Sequence, residues 1–134
     1  MFTAIGSEVH SLAADAFVRG ERRRRLGLAE FRGSWVVLAF GVRHADVLEL
    51  AALEEAFAAD GAVVVAATPD DWHDVAARYG TEKSVRFPIL TEVDEGRRLT
   101  VLVDPDGYVC HVGLRRSARE TLTLLERHCL ALAA

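Results

Sequence analysis

Apolar residues along the chain fall into short uninterrupted runs separated by stretches of three- and four-residue spacing. The first run, Leu12 to Val18, meets a turn at Arg19-Gly20-Glu21 and returns near Leu26, which predicts an N-terminal β-hairpin. Leu28-Ala29-Glu30-Phe31-Arg32 then reads as one helical turn stopped by Gly33, a residue that tolerates the left-handed conformation found at helix ends. Trp35 to Phe40 is apolar at every position, and the lack of alternation predicts a strand covered on both faces.

Asp46 precedes a helical pattern in which Leu50, Leu53 and Phe57 share a stripe, and Asp60-Gly61 ends it. Val63 to Ala67 is a second buried strand. Thr68-Pro69-Asp70-Asp71 opens a helix through Tyr79, with Gly80 as its stop. Phe87-Pro88-Ile89-Leu90 is a short extended segment, and Leu99–Val103 and Tyr108–Leu114 flank the turn Asp104-Pro105-Asp106-Gly107 as a hairpin. Ser117 caps a last helix, with Glu120 completing a capping box and Leu122, Leu125, Cys129 and Leu132 on one face. This order predicts one α/β domain over residues 1–134, a thioredoxin-like three-layer sandwich with a central mixed sheet flanked by helices and an N-terminal β-hairpin.

Length and composition fit that reading. A chain of 134 residues buries roughly two thirds of its unfolded surface, and the balance of 51% hydrophobic to 27% charged residues needs no disulfide staples. No apolar stretch reaches the ~18 residues of a membrane span, and Met1 to Ser11 lacks the layout of a secretory leader. A cytoplasmic location and no membrane partner are the expectation, in keeping with only two cysteines. The net charge of −4 argues against nucleic acid as a partner. The local exception is Arg19, Arg22, Arg23, Arg24 and Arg25, opposed by Glu21 alone, which reads as a solvated turn between two edge strands or as a seat for an acidic partner.

Particular words point to a family. The stretch from Leu28 to Phe40 (LAEFRGSWVVLAF) resembles the approach to the active site in peroxiredoxins of the AhpC/TSA type. Phe87-Pro88-Ile89-Leu90 resembles that family's strand beside the site, and Arg98 to Gly107 (RLTVLVDPDG) its later strand and hairpin turn. The resemblance implies a site made from a Pro, a Thr and a peroxidatic Cys after the strand ending at Phe40, with an Arg on the later strand. Arg98 matches that Arg. Ungapped, Val42 falls at the Pro, Asp46 at the Thr and Glu49 at the Cys, whereas a short gap moves Asp46 or Val47 onto the Cys position. No thiol falls there under either alignment, and the segment from Leu90 to Arg98 is shorter than in the family.

Peroxide reduction needs a thiolate to attack the O–O bond and become a sulfenic acid. A carboxylate of Asp46 or Glu49 instead invites an ion pair with Arg98. Cys110 lies beside His111 on a strand, where neighbours point to opposite faces, and Cys129 sits on an apolar helix face; both read first as structural thiols. Cys110-His111 with His128-Cys129, and Asp70, Asp71, His73 and Asp74, are metal-ligating types in spacings that suit a zinc site poorly, so no metal is expected. His44 and Asp46 stand near any remaining pocket as acid or base. No Gly-rich phosphate loop or nucleotide fingerprint implies a cofactor. The expected function is a binding or regulatory module of peroxiredoxin type that meets a protein partner or a second copy of itself. The alternative is a divergent thiol-dependent oxidoreductase using Cys110 or Cys129 with Arg98, and third comes a hydrolase or lyase built on His44, Asp46 and Arg98.

Overall fold

The computed structural model describes residues 5–9 and 11–133, the side chains of 132 and 133 excepted. The strands are β1 (Ala13–Phe17), β2 (Arg24–Gly27), β3 (Trp35–Phe40), β4 (Ala62–Ala67), β5 (Ile89–Leu90), β6 (Leu99–Val103) and β7 (Val109–Leu114). The helices are α1 (His44–Ala52), α2 (Glu54–Ala59), α3 (Trp72–Tyr79) and α4 (Ala118–Ala133), with a 3₁₀ turn at Leu28–Phe31. The strands form one mixed sheet in the order β2-β1-β5-β4-β3-β6-β7.

β3 is an interior strand buried along its whole length, as its unbroken apolar run requires. It pairs in parallel with β4 from Trp35↔Ala62 to Phe40↔Ala67 and antiparallel with β6 from Val36↔Val103 to Ala39↔Thr100. Alternation along β3 divides the core. Val37 and Ala39 join a cluster closed by Val47 and Leu50 of α1, Phe57 of α2, Val75 and Tyr79 of α3 and Leu125 of α4. Val36, Leu38 and Phe40 join another, closed by Val9, Leu12, Leu26 and Leu28 from the N-terminal segment, the hairpin and the 3₁₀ turn. The sheet is thus the middle of three layers.

The stripe expected as one helix from Leu50 to Phe57 is two helices. Leu53 leaves the helical conformation (φ −110°, ψ 9°), its N–H donating to Leu50 C=O three residues back while its own C=O accepts from Phe57. Leu50 and Phe57 are both buried, and Leu53 at the break is partly so. On α4, Leu125 is buried and Leu122 and Cys129 are partly so, whereas Leu132 lies outside the described side chains.

The arginine cluster does not lie between two edge strands. β2 is an edge, but β1 is interior, paired with β2 and with β5. Folding adds Asp15 and Glu30 to the local partner Glu21: Arg23 pairs with Asp15 at 2.7 Å, and Arg24 with Glu21 at 3.0 Å and Glu30 at 3.2 Å. Arg19 reaches across to the end of α3, where Nη2 donates to Tyr79 C=O at 2.8 Å and also to Glu82 C=O, and Nε donates to Val85 C=O at 2.9 Å. One guanidinium so ties the last carbonyl of α3 to two carbonyls of the loop that follows it. Arg19→Ala is expected to lower stability by about 2 kcal/mol, since hydrogen bonds to charged groups contribute about 1.5 to 3 kcal/mol; a chemical-denaturation midpoint unchanged from the native chain would refute the clamp.

Candidate functional site

The chain leaves β3 at Gly41, which has φ +65°. A Cβ on this residue would lie 3.1 Å from Arg97 C=O and 3.2 Å from Arg98 Cα, so glycine lets the segment before β6 cross directly over the strand end. α1 begins at His44, three residues before the start that an Asp46 preceding the helix predicts. Asp46 is therefore not the N-cap but sits in the first turn, where its Oδ2 accepts the Arg43 N–H at 2.9 Å.

From there the Asp46 carboxylate meets two arginines, one just before β6 and one just after β7. Arg98 Nη2 donates to Oδ1 at 2.8 Å and Oδ2 at 2.7 Å, and Arg115 Nε lies 3.4 Å from Oδ1. The Arg115 contact is a close charge without hydrogen-bond geometry, for its Nε is buried with no hydrogen-bond partner among the described residues. Arg98 Nε and Thr100 Oγ1 are likewise buried and unpaired there. Side-chain exposure is 15% for Asp46, 41% for Arg98 and 5% for Arg115. Burial pushes the Asp46 carboxyl upward, but the Arg43 N–H, Arg98 and Arg115 together outweigh it and hold the group below its ordinary range. Helix α1 is thereby pinned by charge to β6 and to the end of β7.

Glu49, which the ungapped alignment places at the Cys position, points elsewhere: its Oε1 accepts the Ala118 N–H at the start of α4. The residue that meets Arg98 is Asp46. His44 does not meet Asp46. Its Nδ1 lies 3.2 Å from the hydroxyl of buried Tyr79, and the two rings pack at 5.6 Å. Gly41, Val42, Arg43 and His44 form one wall of an open cleft of about 690 Å³. Thr68, Pro69, Asp70 and Arg78 lie across it, and Val93 to Arg98 close the end.

The cysteines lie outside this cleft. Cys110 is the extra residue of a β-bulge, since Leu102 pairs with His111 while Val103 pairs with Val109. The expectation that Cys110 and His111 face opposite ways fails for that reason: Cys110 packs against the helix-side core and the His111 ring lies 6.0 Å from His128 of α4. The Cys110 Sγ donates weakly to Leu102 C=O at 3.5 Å, and burial, with Asp104 secondary, pushes its thiol up to about 11. Burial also raises the Cys129 thiol, which lies 4.0 Å from Asp60 C=O. Among the described residues no group of three or more His, Cys, Asp or Glu side chains is arranged to hold a metal. Of the acidic group, Asp71 caps α3 by accepting the Asp74 N–H at 2.8 Å.

Sequence reasoning missed Arg115 and Tyr79. Hairpin counting from the Asp104–Gly107 turn would put Leu114 opposite Arg98; the bulge at Cys110 shifts the register by one, so Leu99 pairs with Leu114 and the Arg115 N–H donates to Arg98 C=O at 2.9 Å. Nothing local in the sequence marks that shift. Tyr79 carried a signal, as the last apolar position of its helix beside the cleft, but its hydroxyl partner depends on packing.

No protein-family model and no curated protein sequence matches the chain. Solved structures do. Enterococcus faecalis AhpC superposes with a TM-score of 0.84 at 16% identity over 99% of this chain and 96% of that one. A reduced 2-Cys peroxiredoxin from Plasmodium vivax gives 0.80 at 19% identity over 97% and 99%. Mycobacterium tuberculosis AhpC gives 0.77 at 16% identity over 94% and 93%. The chain has the thioredoxin-like fold of the peroxiredoxins over nearly its whole length.

Asp46→Asn is expected to cost roughly 2 kcal/mol at neutral pH, between an exposed pair and a buried one, because Arg115 loses its carboxylate. Since folding lowers the Asp46 pKa, its contribution is complete above the ordinary carboxyl value of about 3.9 and is lost as pH falls through the lower folded-state value. Native and Asp46→Asn denaturation midpoints should therefore converge in acid; a gap that stays constant down to about pH 2 would contradict the assignment.

Proposed function

We propose that this peroxiredoxin-fold chain is a single-domain cytoplasmic protein that has lost thiol peroxidase activity and works as a binding or regulatory module. The observation that carries this reading is the carboxylate of Asp46 on Arg98. In the family that Arg98 resembles, an arginine beside the helix start lowers the pKa of a cysteine and steadies the peroxide. A thiolate attacks one peroxide oxygen, breaks the O–O bond and becomes a sulfenic acid; a carboxylate has no sulfur to take up that oxygen. The Asp46 anion occupies the positive environment and turns it to holding α1 in place. His44, Asp46 and Arg98 do not form an acid–base constellation, because His44 is engaged by Tyr79 and Asp46 by arginine.

The thiol-enzyme reading, through Cys110 or Cys129, is opposed by the same chemistry. With a pKa near 11, Cys110 is ionised in only about one molecule in ten thousand at neutral pH. Its surroundings are apolar rather than cationic. A partner protein or a second copy could meet the cleft or β7, a sheet edge whose last residue, Leu114, is 67% exposed. No helix among the described residues is long and apolar enough to cross a membrane.

Peroxide consumption by the reduced chain under excess dithiol, with intact-mass analysis, tests this directly. The expected rate is no higher than that of the Cys110→Ser, Cys129→Ser double variant. Rapid turnover abolished by one of those replacements would make the protein a peroxidase with a relocated thiol.

A further inference from the structure

The charges around Asp46 are unequal. One carboxylate meets two guanidiniums, those of Arg98 and Arg115, and these are its ion-pair partners among the described residues. The cleft above adds Arg43, Arg78 and Arg97 against Asp70, Asp94 and Glu95. Cleft and floor together therefore carry one positive charge in excess. Among the described residues the Arg43 and Arg97 guanidiniums make no ion pair or hydrogen bond, although they stand in the same cleft from different segments.

The two partners of Asp46 are also unlike. Arg115 is enclosed, with a side chain 5% exposed, whereas Arg98 is 41% exposed and lines the cleft. Arg98 can leave Asp46 at modest cost, for the carboxylate would retain Arg115 and the Arg43 N–H. Arg115 has no such freedom. We propose that the cleft binds a small oxyanion, a carboxylate or phosphate group, on Arg98 flanked by Arg97 and Arg43, with Arg98 turning from Asp46 to the ligand while Arg115 keeps Asp46 in place. Arg98 is the movable arm because a guanidinium offers the planar pair of donors that such groups accept. Ligand and Asp46 compete for one cation, so occupancy loosens the tie between α1 and β6 without stranding a buried charge.

This inference rests on the reading of the cleft as a binding site and names the ligand class. His44, on the cleft wall, supplies the probe. The full chain is titrated at fixed ionic strength with sodium phosphate and, separately, with sodium acetate, while NMR follows the His44 imidazole and the Arg98 Nε–H. Saturable shifts with either salt are expected, and the salt that produces them tells phosphate from carboxylate. Arg98→Gln and Arg97→Gln should each weaken binding about tenfold, and Asp46→Asn, which removes the competitor, should tighten it about threefold. Arg97→Gln keeps the test valid should an Asp46 or Arg98 variant fold poorly, because Arg97 is exposed and lies outside the ion-pair network. Shifts that stay linear with both salts, or that are unchanged in Arg98→Gln and Arg97→Gln, would overturn the proposal. Thiol-dependent peroxide turnover would defeat the broader reading while leaving these titrations as they are, so the two failures can be told apart.

Discussion

The structure hangs on the burial of β3. All its residues are buried, and it joins the parallel strands β5-β4-β3 in the middle of the sheet to the antiparallel pair β6 and β7. Burying one valine, leucine or phenylalanine side chain contributes about 1.5 to 3 kcal/mol, against about 0 to 1 kcal/mol for an exposed ion pair. The core therefore fixes where β3 ends, and the charged groups arrange themselves around that end. Gly41 is the point of transfer, since only a residue without a side chain allows both the turn into α1 and the close passage of Arg97 and Arg98.

At that point the fold brings together a helix start and two strand ends. The site is then decided by which side chain reaches Arg98. Asp46, in the first turn of α1, does so, while Glu49, nearly one turn further on, reaches α4 instead. A carboxylate suits this place for the reason a thiolate would, namely partly buried positive charge. It differs in having no redox chemistry to offer. The positive environment at the start of α1 is thus met here by the Asp46 carboxylate.

The bulge at Cys110 carries a second lesson. An added residue in β7 puts His111, Gly113 and Arg115 on the helix side of the sheet beyond it and turns Leu114 outward. Without that shift Arg115 would face the opposite layer and Asp46 would have one arginine, on an exposed side chain. The same residue places a thiol next to a histidine on one face, yet burial keeps the thiol protonated. Proximity of reactive types is not reactivity when the surroundings disfavour the charged form.

Element types and their order were legible in the sequence because periodicity and punctuation report which faces are buried: the apolar run at Trp35–Phe40, the turn at Asp104–Gly107 and the Ser117 cap are all local signals. Arg98 was singled out by its resemblance to a family motif, and the residues from Gly41 to Glu49 include no cysteine. The break at Leu53, the clamp of Arg19 on α3, the separation of His44 from Asp46 and the choice of Asp46 over Glu49 were not. Each depends on residues distant in the chain whose approach is set by packing, and Arg115 in particular depends on a one-residue register shift that hydrophobic alternation does not encode. The sequence alone determined the order of elements and a peroxiredoxin-like framework with no cysteine between Gly41 and Glu49; the tertiary structure, by bringing distant strand ends to the start of α1, decided that the Asp46 carboxylate lies between two arginines, one enclosed and one open to solvent.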